Sequence, residues 1–303
     1  MHAPKKLFNK VINAVSSILM NDRIELGDIT CVRRYSLPNL LSKTVHYEEF
    51  LDDIYRTALA QRDGAVIDVG VNTGQTLFKV LSIDKDRSYF GFEPLTMAAS
   101  SVEGFLIDNK IRNCCILPIA LSDKNGSIPI NIRGEGIYSM ASTVSSIVDG
   151  FRPKSFYDYV KYIYAARGDE VVDSLGITSI AFIKIDVEGA ELEVLKGLQA
   201  TIPKFRPYIL FEVLHHYLVV TEEKLDEETI NFRESRIKEL EEIIRSNSFN
   251  IYQINGAQEI IKIDKIKPKM VNDLASTDFI AVPEENEKDF CEQLEIGGRK
   301  ITS

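Results

Sequence analysis

One pattern recurs five times between residues 65 and 213: a short apolar run that ends on a carboxylate. The runs are Ala65-Val66-Ile67-Asp68, Tyr89-Phe90-Gly91-Phe92-Glu93, Cys114 to Leu121 followed by Ser122-Asp123, Ile180 to Asp186, and Tyr208 to Glu212. Continuous apolar runs of this length read as strands buried on both faces, the habit of parallel sheets. Helical spacing fills the gaps. Leu77, Val80 and Leu81 mark a helix over Thr73 to Leu81, and Ala98, Ala99, Val102, Phe105 and Leu106 mark the next. Leu192, Leu195 and Leu198 mark one over Ala190 to Leu198, and Ile230, Ile237, Leu240 and Ile244 one over Thr221 to Ser246. Phe249 to Ile254 and Asp278 to Val282 bring the count to about seven strands. Strand and helix alternating over this length predict an α/β fold with a doubly wound, mostly parallel sheet.

Two stretches depart from the rhythm. Ser122-Asp123-Lys124-Asn125-Gly126 is a strong turn signal, so Ser127 to Ile132 reads as the second arm of a hairpin. Residues 133–175 form an insertion with seven aromatics between Tyr138 and Tyr164. Within it Phe156, Val160 and Ile163 fit one apolar helix face.

Charge and chain length narrow the function. The net charge of −9 argues against nucleic acid as a partner, because phosphate binding needs a basic face. No apolar run approaches the ~20 residues of a transmembrane span. Cys31, Cys114, Cys115 and Cys291 include no Cys-x-x-Cys pair, which suits buried, reduced thiols in a cytoplasmic protein. Leu7, Phe8, Val11, Ile12, Val15, Ile18 and Leu19 form a helical stripe, with Lys6 and Lys10 opposite. Asn13, Ser16 and Ser17 interrupt it too often for a signal peptide. Three docking partners remain open for this helix: its own domain, a second copy in a homodimer, or an anionic membrane surface contacted peripherally.

Ligands of doubly wound sheets bind at the carboxyl ends of the strands, where the five acids fall. Each one alone could cap the next helix; five in succession point to a site. Gly70 and Gly74 flank a turn into a helix, which brings free N–H groups to a ligand. Glu93 lies 19 residues beyond Gly74, about where a ribose-binding acid belongs. A nicotinamide dinucleotide competes for this site, but its fingerprint has three glycines and an anionic pyrophosphate. Asp68 before the turn suits a ligand carrying an ammonium or sulfonium charge, so the spacing fits S-adenosylmethionine better.

The blocks Val66-Ile67-Asp68-Val69-Gly70-Val71-Asn72-Thr73-Gly74, Gly91-Phe92-Glu93-Pro94, Ala120-Leu121-Ser122-Asp123 and Phe182-Ile183-Lys184-Ile185-Asp186-Val187-Glu188-Gly189-Ala190-Glu191 together resemble the FkbM family. The resemblance implies a class I methyltransferase with a Rossmann-like fold, a seven-stranded sheet with a late antiparallel strand, and S-adenosylmethionine as cofactor. It implies a methyltransferase domain over 61–285, with 1–60 a helical extension serving as lid or dimerisation element and 286–303 a tail. It also implies roles. Gly70, Asn72, Thr73 and Gly74 would wrap the methionine portion and Asp68 would steer its ammonium. Glu93 would accept both ribose hydroxyls, Leu121, Ser122 and Asp123 would frame the adenine, and Asp186 would sit near the methyl group. Two departures bear on the acceptor: Val172-Asp173-Ser174-Leu175 stands where the family shows Thr-Leu-Asp, and His215 and His216 follow strand five where the family shows one His.

Family members methylate hydroxyl groups. The implied acceptor is a small molecule or glycan: a sugar hydroxyl of a glycan or glycolipid precursor, or else a polyketide or other secondary metabolite. A methyltransferase-like scaffold without catalysis is the non-enzymatic rival. Tyr138, Tyr157 and Tyr162 are the aromatic candidates for stacking on a sugar. Asp186, Glu212 and His215 would converge beside the sulfonium, where His215 could take the hydroxyl proton. The same three side chains could instead hold Mg or Mn and acidify the hydroxyl.

Overall fold

A computed structural model describes residues 22–26, 29–33, 48–133, 140–143, 158–213, 227–267 and 277–302. A hairpin of β1 (Asp22–Leu26) and β2 (Ile29–Arg33) comes first, then a single 3-10 turn at Glu49–Leu51 and helix α1 (Asp52–Gln61). The alternating part opens with β3 (Ala65–Val69), α2 (Gln75–Ile83), β4 (Tyr89–Phe92), α3 (Thr96–Asp108) and β5 (Cys114–Leu117). Four strands follow: β6 (Ala120–Ser122), β7 (Gly126–Arg133), β8 (Met140–Thr143) and β9 (Tyr159–Arg167). Alternation resumes with α4 (Gly168–Ser174), β10 (Ile180–Ile185), α5 (Glu191–Gly197), α6 (Thr201–Phe205) and β11 (Tyr208–Glu212). The last elements are α7 (Glu227–Ser246), β12 (Phe249–Asn255), β13 (Glu259–Ile263), β14 (Asp278–Pro283), α8 (Glu287–Ile296) and β15 (Lys300–Thr302).

The main sheet has nine strands in the order β15-β13-β12-β14-β11-β10-β3-β4-β5. From β5 to β11 every pairing is parallel, and β14 runs antiparallel between β11 and β12. These seven strands are the expected class I Rossmann-like sheet with its late antiparallel member. β13 and β15 extend the edge beyond them. Strand order reverses between β3 and β10, and a crevice opens at such a point.

Alternation along the strands, interrupted in β10 at Ala181-Phe182 where its register against β3 shifts, fills two cores. Val66, Tyr89, Phe182, Tyr208 and Ile280 point to the layer of α1, α2, α3 and α8. Ile67, Val69, Ile183, Ile185, Ile209 and Phe211 point to the layer that holds α5 and α7. Each such side chain contributes about 1.5–3 kcal/mol when buried, which is why period-two burial fixes the register.

Several local readings need correction. The expected strand Cys114 to Leu121 breaks at Pro118, which has no N–H for the ladder; β6 leaves for a second sheet of order β6-β9-β7-β8. β7 therefore does not form a hairpin with β6, because β9 lies between them. Asn125 explains the diversion: its side chain accepts the Arg167 amide at 2.8 Å and donates to Glu170 at 2.8 Å, tying the turn to β9 and α4. Val160 and Ile163 do not share a helix face. They lie on opposite faces of β9, the first 53% exposed and the second 7%, while Phe156 is outside the described residues. The helical extension contains the β1–β2 hairpin as well as α1, and the stripe from Leu7 to Leu19 lies outside the described residues. The tail is part of the body: Phe290 and Leu294 of α8 sit in the first core, and buried Arg299 binds Asp53 and the carbonyls of Gly256 and Phe50. Among the described thiols, Cys114, Cys115 and Cys291 are free yet not buried, since Cys115 is exposed and Cys114 and Cys291 are half-buried. No described helix is long and apolar enough to cross a membrane.

Candidate active site

The turn after β3 is fixed by backbone bonds from its neighbours. The Gly70 and Val71 amides both donate to the Phe92 carbonyl, at 2.9 and 3.3 Å, and the Gly74 amide closes the turn on Val71 at 2.9 Å. Gly70 has φ +96°, and a Cβ there would run into the Asp186 carbonyl, so this position requires glycine twice over. That contact, with the Asp186 amide donating to Val69 at 2.9 Å, brings the β3 turn against the start of the β10 loop. Asn72 is exposed with φ +50°, a conformation asparagine tolerates, whereas Thr73 and Gly74 are buried; Gly74 caps α2 at φ +93°.

Glu93 holds that turn from β4. One carboxylate oxygen accepts the Asn72 amide at 2.8 Å and the other accepts the Leu95 amide at 2.8 Å. A carboxylate has about four acceptor sites, so each oxygen retains one more. Burial raises the Glu93 pKa, and the two amides partly offset it. Asp68 is fully buried, facing the layer of α1 and α2. The Tyr89 hydroxyl donates to one of its oxygens, and the other has no partner. Burial drives its pKa up to about 7, against the opposing pull of Tyr89 and of Lys184 opposite it on β10.

Leu121 and Ser122 are buried, and the Ser122 hydroxyl donates to Asp123 at 3.2 Å. A Cβ at Gly197 would strike the Ser122 carbonyl, so β6 lies against the end of α5. Among the described residues no hydrogen bond joins Leu121, Ser122 or Asp123 to the β3 turn or to Glu93.

At β10, β11 and β14 the acids face one another. Asp186 accepts from the buried Lys184 ammonium at 3.2 Å, and its own side chain is about a third exposed. Glu212 stands opposite Asp278 on the antiparallel ladder and accepts the Thr277 hydroxyl at 3.2 Å. Burial pushes Glu212 well above its ordinary pKa, and Asp186 and Asp278 push it further. Burial likewise takes Asp278 up to about 7, opposed by Lys184. Burial alone would lower the Lys184 pKa, but Asp186, Tyr55, Glu48 and Asp278 outweigh it and hold the ammonium charged. Asp278 and Lys184 are the members that sequence reasoning passed over. A strand start and a mid-strand lysine carry no signal until the partner strands are known. His215 and His216 lie outside the described residues, and so do Tyr138 and Tyr157; Tyr162 projects from β9 at 71% exposure. Among the described residues no three His, Cys, Asp or Glu side chains form a group that could hold a metal ion.

The family model of the methyltransferase FkbM domain matches residues 68–251, from the β3 acid to β12. The chain belongs to the FkbM methyltransferase family. The matched stretch runs through most of the parallel strands and includes Asp68, Glu93, Asp186 and Glu212. Among curated proteins, 2-O-methyltransferase NoeI of Sinorhizobium fredii is 27% identical over 154 residues, 49% of this chain. The match spans 63% of that relative's length. Similar solved structures include an FkbM methyltransferase from Methylobacillus flagellatus, with 14% identity and a TM-score of 0.42, covering 72% of this chain and 43% of that one. Another is an O-methyltransferase from Bacillus cereus in complex with SAH, with 10% identity and a TM-score of 0.41, covering 90% and 86% of the two chains.

Proposed function

We propose that this methyltransferase moves the methyl group of S-adenosylmethionine to a hydroxyl oxygen, and that the acceptor hydroxyl belongs to a sugar of a glycan or glycolipid precursor. The observation that carries the cofactor is Asp68: a fully buried carboxylate beside a glycine turn, with one oxygen left unpartnered. A buried polar atom of this kind wants a donor, and an ammonium supplies one directly or through water. Glu93 keeps an acceptor site free on each oxygen for a ribose diol, and the β3 turn holds it in place. S-adenosylmethionine, when bound, supplies a methyl group already activated on a sulfonium. What remains for this chain is to align the acceptor oxygen and to take its proton.

Asp186, Glu212 and Asp278 form the proton-accepting end. Burial and like-charged neighbours make Glu212 and Asp278 bind a proton more tightly, and a base with raised proton affinity works closer to neutral pH. His215, three positions beyond Glu212 in the sequence, is the proposed imidazole acceptor of that proton. Lys184 already supplies a cation at Asp186, which favours proton removal over a divalent ion as the way the acids are used. Leu121, Ser122 and Asp123 remain the adenine side of the proposal. The O-methyl transfer in this reading draws on the 2-O-methyltransferase name of the curated relative. The sugar draws on Tyr162 and Tyr164, whose rings stand exposed on β9 for stacking.

The test is methyl incorporation from labelled S-adenosylmethionine into an extract of cells that lack the protein. A labelled sugar one methylene heavier is the expected product, formed equally well with a chelator present. Label in a polyketide changes the acceptor, loss of incorporation on chelation changes the mechanism, and no incorporation contradicts the proposal.

A further inference from the structure

The loop after β10 carries Asp186 at its first position, and its backbone is held in an uncommon shape. Glu188 sits at φ +54° and Gly189 at φ +115°. Non-glycine residues at such angles persist where the surroundings impose them. Two side chains do so here. Glu191, at the start of α5, accepts the Val187 and Gly189 amides at 3.4 and 3.1 Å. Arg236, half-way along α7, donates to the Gly189 carbonyl at 3.2 Å and grips Glu193 of α5 with two bonds of 2.6 Å each. The Arg236 and Glu193 side chains are only 11% and 17% exposed. A forked guanidinium on a carboxylate is among the most geometrically exact contacts a protein can make.

We infer that Arg236 is a positioning residue that pins the Asp186 loop to α7 through Glu193 and the Gly189 carbonyl. One side chain thus ties the loop that carries Asp186, and the start of α5, to α7. The inference rests on the proposed function for its consequence, since a misplacement of about 1 Å at the reacting groups costs on the order of 100-fold in rate. The clamp itself is independent of that reading.

The test compares wild type, Arg236→Met and Arg236→Lys by hydrogen exchange of peptides covering residues 186–190, β10 and α7, with and without S-adenosylhomocysteine. In Arg236→Met the Val187 and Gly189 amides are expected to exchange about tenfold faster or more, a loss of roughly 1.4 kcal/mol of local protection, while β10 and α7 exchange as before. Arg236→Lys keeps the charge and loses the fork, so it should not restore loop protection. Affinity for S-adenosylhomocysteine should stay within about threefold, because Asp68 and Glu93 are untouched. Unchanged loop exchange, full rescue by lysine, or faster exchange spread equally over α7 and β10 would overturn the inference. Failure of wild type to bind S-adenosylhomocysteine would instead overturn the proposed function and leave the clamp standing.

Discussion

At β3 and β4 the acids are locked into the scaffold: Glu93 has an amide on each oxygen, and Asp68 is sealed beneath the sheet edge with the Tyr89 hydroxyl on it. At β10, β11 and β14 burial and neighbouring carboxylates raise the proton affinity of Glu212 and Asp278, while Asp186 accepts from the Lys184 ammonium. The first arrangement suits a ligand that must be held the same way each time. The second suits a proton that must be accepted and released. Both ends sit on one sheet edge, but hydrogen bonds build one and electrostatics the other, so substitutions should break them differently.

The largest effect is expected where the two ends touch. Gly70→Ala puts a Cβ into the Asp186 carbonyl at a positive φ that by itself costs about 1–3 kcal/mol. Thermal unfolding should show a lowered Tm, and calorimetry should show no binding of S-adenosylhomocysteine. Glu93→Ala should come next. It removes charge-assisted hydrogen bonds worth about 1.5–3 kcal/mol each, so affinity should fall by one to two orders of magnitude per bond lost. Tyr89→Phe should cost about 1–3 kcal/mol in denaturant unfolding, because it leaves both Asp68 oxygens buried without a partner.

The smallest effect is a pH signature that belongs to the crowded end. Asp278 has its folded pKa raised to about 7 from an ordinary 3.8. Between these values the folded protein holds a proton that the unfolded chain has released. Its contribution to stability is therefore full below about pH 4 and lost as pH rises through about 7. Asp278→Asn should gain Tm relative to wild type at pH 8 and lose that advantage at pH 5. An equal offset at both pH values would mean that Asp278 does not share in the crowding.

The two ends also differed in how far they could be read from the sequence. The β3 turn and Glu93 are local in the chain, so Asp68, Gly70, Gly74 and the acid after the next strand were legible from spacing alone. The seven-strand sheet was legible for a similar reason, as each run is buried on both faces and bounded by helical spacing. Asp278 was not, because it matters only through a ladder partner far back in the chain, and Lys184 reads as a polar interruption until Asp68 and Asp186 flank it. β9 misled because, Lys161 apart, Tyr159 to Ala166 carries aromatic or apolar residues on both faces, which lets a helical period be traced through a strand. Pro118 could have signalled the break between β5 and β6, since a proline does not continue a central ladder. The edge strand β15 is only three residues long and is held by the sheet it joins, whereas β13 carries Ile260, Ile261 and Ile263 and was a strand signal left unread.

The most direct measurement is titration calorimetry of the full chain with S-adenosylhomocysteine and, separately, with NADH. The proposed function, with Asp68 as the ammonium partner and Glu93 as the ribose acceptor, predicts binding of the first, weakened by Glu93→Ala, and none of the second. Binding of NADH in preference, or S-adenosylhomocysteine affinity that Glu93→Ala leaves unchanged, would contradict it.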